Sequence, residues 1–206
     1  YDTVYTIHNI AHQGLFSYDC PNGCGYRPDS YWGTFEFYGQ VNLMKGAVNN
    51  ADAVTTVSPS YSWDIQTRDG GFGLDGVMAA NKQKLHGILN GIDYDVWNPR
   101  TDALIPAHYC ADDTEGKKGC RRALMEKFGW NDDGRPLVIF VGRLTEQKGI
   151  DIMLDALARF MPDRIYALII GSGSDMFNHR LEDFRAAHAD SVRTVTGFSE
   201  ETAHLA

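Results

Sequence analysis

The shortages of this 206-residue chain are its first guide. Cysteine is scarce: Cys20, Cys24, Cys110 and Cys120 are too few for a disulfide framework at this length. Cys20-Pro-Asn-Gly-Cys24 has the spacing of a zinc half-site or a redox pair, but Cys110 and Cys120 supply no matching close pair, and four reduced thiols is the plainer reading. Basic charge is short as well. Nineteen Lys and Arg stand against 27 Asp and Glu, a net charge of −8, which excludes a protein that gains affinity by neutralising nucleic-acid phosphates. No apolar run approaches the roughly 20 residues of a membrane span, so a soluble chain without a membrane partner is expected. No leader-like segment precedes the strand pattern Thr3–Ile7, and no repeat or low-complexity tract occurs. The closing Ser199–Ala206 reads as a helix cut after barely one turn, so a fragment of a longer protein is expected.

What is present is strongest in the second half. Leu137-Val-Ile-Phe-Val141 is a short, continuous apolar run of the buried-strand kind. Ile150, Met153, Leu154, Leu157 and Met161 then recur at helical spacing over 149–161, up to Pro162. A strand over Tyr166–Ile170, a Gly171-Ser-Gly173 turn, a helix over 176–188 and a strand over Val192–Thr196 complete a β-α-β-α-β order. Short connections in that order predict a parallel sheet covered by helices. Gly171-Ser-Gly173 opens like a dinucleotide-binding fingerprint but lacks the third glycine, and reads as a tight strand–helix turn. Between the first strand and helix, Gly142-Arg-Leu-Thr-Glu-Gln-Lys-Gly149 occupies the carboxyl end of a strand, where open α/β sheets bind ligands. Arg143, Lys148 and the positive helix end are expected to converge on one anionic group, a diphosphate site without a metal.

The first half is less regular. Strands are expected near 3–7, 52–57 and Leu85–Leu89, with a helix over 40–50, and residues 98–119 read as a polar loop. His8 and Asn9 stand where the first strand meets a glycine-containing loop. They suit hydrogen bonds to sugar hydroxyls, or His8 merely satisfies loop backbone. Asn90-Gly91 has turn chemistry, and Asp93-Tyr-Asp95 matches a short metal–nucleotide pattern but reads better as a turn. The aromatics of Tyr31–Tyr38 are suited to stacking on sugars, though core packing is the plainer role.

Taken in order, Thr6–Gly14, Glu36-Phe-Tyr-Gly39, Val54–Tyr61, Gly87–Asp93 with Trp97-Asn-Pro99, and Val141–Gly149 resemble the motifs of bacterial glycogen synthases and plant starch synthases, over nearly the whole chain. The resemblance implies an α/β chain of the GT-B glycosyltransferase class, two Rossmann-like domains with parallel sheets, both incomplete here. Residues 1–86 would be the carboxyl-terminal part of the acceptor-side domain, and 87–206 the start of the nucleotide-sugar domain. It implies retaining transfer of glucose from ADP-glucose to the non-reducing end of an α-1,4-glucan, with no metal and no cofactor beyond that substrate. By motif, Arg143 and Lys148 match the pair on the distal phosphates, and His8 the histidine at the transferred glucose. Asn9 matches an acceptor-side residue, Asn90 an asparagine near the donor sugar, and Gly197 with Phe198 the segment beside the adenine.

Departures accompany the match. The family's Lys-x-Gly-Gly-Leu loop and its late Glu-x-x-Gly-Leu segment are absent, and Glu200 and Glu201 come too early to replace the latter. The 206-residue piece alone is therefore expected to be inactive. Placement would be cytoplasmic for a bacterial protein and plastidial for one from a plant or alga. A non-catalytic glucan-binding relative, or another GT-B transferase, is the competing reading; a retained diphosphate clamp speaks against mere glycan binding.

Overall fold

The structure is a computed structural model that describes residues 1–17, 33–197 and 199–206. Cys20, Cys24, Tyr31 and Phe198 lie outside the described residues. The chain divides into two compact units, Tyr1–Ile92 and Asp93–Ala206. No helix among the described residues is long and apolar enough to cross a membrane.

The first unit holds two small sheets. Strands β1 (Val4–Ile7), β5 (Ala53–Thr56) and β6 (Leu85–Gly87) form a parallel sheet in the order β1-β5-β6. Strands β2 (Leu15–Ser17), β3 (Glu36–Phe37) and β4 (Gln40–Asn42) form an antiparallel sheet in the order β2-β4-β3. Helix α1 (Leu43–Asn50) starts directly from β4. The fully buried Asn42 caps it, its Oδ1 accepting from the Lys45 N–H at 2.9 Å. Helix α2 (Pro59–Asp64) repeats the device with Ser58 Oγ as acceptor and Pro59 in its first turn; α3 (Asp75–Ala80) leads back toward β6. Ile7, Ile10, Met44, Val48, Val54, Leu74, Met78 and Leu85 converge in one core, each side chain worth about 1.5–3 kcal/mol of transfer free energy.

The expected domain junction at 86/87 falls inside β6. Leu85, His86 and Gly87 pair in register with Val54, Thr55 and Thr56, and the Ile88 N–H donates to Thr56 O, so this strand belongs to the first unit and the division comes six residues later, after Ile92.

The second unit is a three-layer α/β fold. Strands β7 (Leu137–Val141), β8 (Tyr166–Gly171) and β9 (Val192–Thr196) run parallel in the order β7-β8-β9. The central strand shows why the run is apolar throughout. Ala167 and Ile169 pack into one core with helices α5 (Ile150–Ala158) and α6 (Asp175–Ala187). Tyr166, Leu168 and Ile170 pack on the other face with α4 (Gly116–Lys127) and Leu205 of α7 (Glu200–Leu205). Alternate residues thus serve opposite faces, and both are covered.

Two expectations are corrected here. The polar loop of 98–119 ends earlier, because α4 begins at Gly116 and buries Cys120, Leu124 and Met125. The α5 helix stops at Ala158 rather than 161, leaving Phe160 to Asp163 as turns ahead of β8.

Candidate functional site

In the second unit the residues singled out from the sequence gather at the carboxyl ends of β7, β8 and β9. A cavity of about 220 Å³ opens there, lined by Val141, Gly142 and Arg143 after β7, by Ile170, Gly171 and Ser172 after β8, and by Gly197 after β9. Backbone hydrogen bonds tie the loops together: Gly142 N–H donates to Ile170 O at 3.0 Å, Leu144 N–H to Ser172 O at 2.9 Å, and Gly197 N–H to Gly171 O at 3.3 Å. They lie so close that a Cβ on Gly171 would sit 1.8 Å from Gly142 O, and one on Gly173 would sit 2.0 Å from Leu144 O. Gly171-Ser-Gly173 is therefore a close-approach turn in the wall of the cavity.

Arg143 and Lys148 are both exposed. Neither enters an ion pair or side-chain hydrogen bond with any described residue, whereas Arg121, Arg135, Arg180 and Arg185 are committed to Asp132, Asp133, Asp155 and Glu182. An uncommitted cation at a cavity mouth is available to an anion. Lys148 lies five residues beyond Arg143 in the chain. It ends a one-turn 3₁₀ segment, Glu146–Lys148, and Gly149 at φ +66° turns the chain into α5, so Lys148 does not line the cavity. The α5 terminus also carries Asp151 in its first turn, with one buried carboxylate oxygen unpaired among the described residues.

The first unit positions His8, Asn9 and Asn90. His8 follows β1 and is exposed; Asn90 follows β6 and is exposed too. Both stand at the carboxyl edge of the same parallel sheet, on strands that flank β5. Asn9 Oδ1 accepts from the Ala11 N–H at 3.0 Å, which shapes the loop, and the Ile10 N–H donates to the Tyr61 hydroxyl at 3.0 Å. A relay absent from the sequence reading anchors the loop's far end. Gln13, 6% exposed, accepts from Asn42 Nδ2 at 2.6 Å and donates to Phe72 O at 3.0 Å, so the residue that caps α1 also fixes the loop after β1. No local signal marks that pairing, since Gln13 and Asn42 are 29 residues apart.

A second unforeseen cluster fastens the 93–115 loop. His204 Nδ1 and Asp102 Oδ2 are 2.7 Å apart with their side chains 2% and 9% exposed, and Trp97 stacks on the imidazole with centroids 3.8 Å apart. Desolvation pushes the Asp102 carboxyl up, but the His204 hydrogen bond, the Leu104 N–H and the nearby His204 and His108 together hold it below its ordinary value. The acidic residues of this loop serve its turns: Asp93, Asp102 and Asp113 each accept from the N–H two residues on. Asp93 is thus used by the Asp95 backbone, as the turn reading expects, and no group of three His, Cys, Asp or Glu side chains among the described residues is arranged to hold a metal.

Comparison with known proteins gives this geometry a family. Residues 1–80 match the starch synthase catalytic domain model. The glycogen synthase of Paracidovorax citrulli is 42% identical over 98% of this chain, and glycogen synthase 1 of Methylococcus capsulatus is 41% identical over 98%. The chain superimposes on the catalytic domain of starch synthase IV from Arabidopsis thaliana, solved with ADP and acarbose, at a TM-score of 0.88 and 31% identity over 98% of its length. The chain belongs to the glycogen and starch synthase family. It spans about 40% of the length of these curated glycogen synthases and 43% of the starch synthase chain. Its fold class is GT-B. Anabaena Alr3699/HepE in complex with UDP-glucose, at a TM-score of 0.53 and 16% identity, shares that fold alone.

Proposed function

We propose that the protein carrying this chain is a retaining glucosyltransferase that moves glucose from ADP-glucose to the non-reducing end of an α-1,4-glucan. The observation that carries the reading is the cavity at the ends of β7, β8 and β9 with the unpaired Arg143 at its mouth, in a chain 42% identical to a glycogen synthase. Nucleotide pyrophosphates bind at such strand ends, and the backbone-walled floor at Gly142, Gly171 and Gly197 leaves room for a close approach. The ADP held by the Arabidopsis starch synthase supports the choice of nucleotide.

In this reading the bond between glucose C1 and the diphosphate oxygen breaks while the acceptor hydroxyl oxygen bonds to C1 on the same face and gives its proton to the departing diphosphate oxygen. Negative charge grows on the departing diphosphate. Arg143, fixed by its place after β7, meets that charge without reorganising, and Lys148 neutralises the distal phosphate from the turn before α5. His8 contacts the transferred glucose and Asn9 faces the acceptor, on a loop held still by Gln13 and Tyr61. Asn90 approaches the donor sugar, and the backbone at Gly197, with Phe198 beyond it, flanks the adenine. No metal or further cofactor enters, since cationic side chains already oppose the diphosphate.

The test is transfer by the whole protein. ADP-glucose and a maltooligosaccharide should yield acceptors elongated at the non-reducing end with α linkage, and UDP-glucose should compete poorly in the same tube. Absence of elongation, or a clear preference for UDP-glucose, would overturn the assignment.

A further inference from the structure

Two aromatic residues of the first unit are displayed in a way that core packing does not explain. Tyr38 and Phe72 are the non-glycine residues with positive φ among those described, at +49° and +50°, and each is followed by a glycine at +80° or +84°. Tyr38-Gly39 is the two-residue connection between β3 and β4, where both central residues must adopt positive φ and Asn-Gly is the favoured pair. An aromatic side chain there works against the backbone preference, and such residues concentrate at ligand clamps. Their rings are not buried in return: Tyr38 is 84% exposed and Phe72 59%. By contrast, Phe35 covers Gly46 so closely that a Cβ there would lie 1.9 Å from its ring, and Phe37 packs against the core.

Phe37 links the two turns. Its ring meets that of Tyr38 edge to face at 4.8 Å, and a Cβ on Gly73 would come within 3.0 Å of its Cζ. Each turn is also pinned by a side chain. Glu36 Oε1 accepts from the Gly39 N–H at 2.9 Å, and Gln13, on the loop that carries His8 and Asn9, donates to Phe72 O at 3.0 Å. Two exposed rings are thus mounted on a rigid base that is continuous with the loop assigned to the sugar.

We propose that Tyr38 and Phe72 form a stacking platform that holds glucosyl rings of the α-glucan acceptor. A pyranose offers an apolar C–H face to an aromatic ring, and two pre-placed rings capture it with little side-chain entropy to lose. The proposal rests on the glucan-elongating reading above and adds to it the residues that grip the polymer.

Replacing Tyr38 and Phe72 with Asn removes the rings while keeping a residue that tolerates positive φ, so the turns are not put under new strain. Binding of maltoheptaose and of ADP to the whole protein is measured by calorimetry for the parent, the Tyr38→Asn/Phe72→Asn double variant, and Tyr38→Trp. The double variant should bind maltoheptaose roughly tenfold more weakly, with ADP affinity unchanged, and Tyr38→Trp should keep parental glucan affinity. Parental maltoheptaose affinity in the double variant overturns the platform, and if its sedimentation also differs, the face belongs to a second copy of the chain. Failure of the parent to elongate any glucan overturns the underlying reading, a result separate from the effect of the two substitutions.

Discussion

The backbone contact at the floor of the nucleotide cavity makes a sharp prediction. Gly171→Ala places a methyl group 1.8 Å from Gly142 O, roughly 1.5 Å inside ordinary contact, at a backbone φ of +154°. Neither partner can swing aside, because both are main chain. Relief requires parting the loops after β7 and β8, which breaks the Gly142–Ile170 and Leu144–Ser172 hydrogen bonds between them. Overpacking of this kind costs about 2 kcal/mol, and two lost backbone bonds add about 1 kcal/mol each. The expected destabilisation is therefore about 4 kcal/mol, a large share of the ~5–15 kcal/mol that holds a domain together. Because the loops that part are the cavity walls, ADP affinity should fall with it.

Urea unfolding followed by far-ultraviolet circular dichroism gives the stability, and calorimetry with ADP gives the affinity. Gly76→Ala is the matched control. Nothing lies within 4 Å of a Cβ at Gly76, inside α3, so the same methyl group should stabilise by about 0.5–1 kcal/mol. Unfolding of Gly171→Ala within about 1 kcal/mol of the parent, or parental ADP binding, would refute the close contact between the loops.

Arg143→Ala should lower kcat by about 10²–10³-fold, the scale for losing one preorganised charge-stabilising group, while the KM for glucan barely moves; a kcat within threefold of the parent would remove Arg143 from the reaction. Transfer should persist in excess chelator, because Arg143 and Lys148 supply the positive charge that the diphosphate needs; complete loss restored by magnesium or manganese would contradict this. Asp102→Asn should cost about 2 kcal/mol by weakening the buried contact to His204 that holds the 93–115 loop. The Asp102 carboxyl is depressed in the fold, so its contribution is present above the unfolded carboxylate value near 4 and is lost as pH falls through the lower folded value. Stability measured from pH 6 down to pH 3 should show a shallower acid decline in Asp102→Asn, and an unchanged slope would refute the linkage.

How much of this could be read from the sequence follows from how locally each feature is encoded. The β7-α5-β8-α6-β9 order was legible because its strands are covered on both faces, so Leu137–Val141 and Tyr166–Ile170 are continuous apolar runs that need no tertiary context. Helix α4 was hidden by its own packing. Gly116 and Gly119 stand in its first turns because the loop at 107–108 lies on them: a Cβ at Gly116 would sit 2.0 Å from His108 O, and one at Gly119 would sit 2.8 Å from the Ala107 Cβ. Glycine at a close approach looks, in a sequence, like glycine in a loop. Strands of two or three residues, such as β3 and β4, are too short to show alternation at all.

The site divides along the same line. Arg143 was legible because a cation in a glycine-bounded loop directly after an apolar strand is a local arrangement, and the structure sets it at the mouth of a cavity with Gly197. Lys148 stands on a one-turn 3₁₀ segment ahead of α5, a backbone detail that residue spacing does not carry. What lay beyond reach were the partners that hold the functional loops: Gln13 with Asn42, and Asp102 with His204, the latter 102 residues apart. These are polar residues without periodicity, and only the fold makes them neighbours. Polar partners of this kind fix where a reactive side chain stands, and a displacement of 1 Å costs about 10²-fold in rate. Asn42→Ala tests this directly, since it leaves every candidate catalytic group of the first unit in the sequence and removes both the α1 cap and the buried partner of Gln13. Transfer should drop further than the loss of stability explains, with the fall concentrated in kcat. A variant that is merely less stable, with parental kcat at a temperature where it is fully folded, would show that the loop carrying His8 needs no such support.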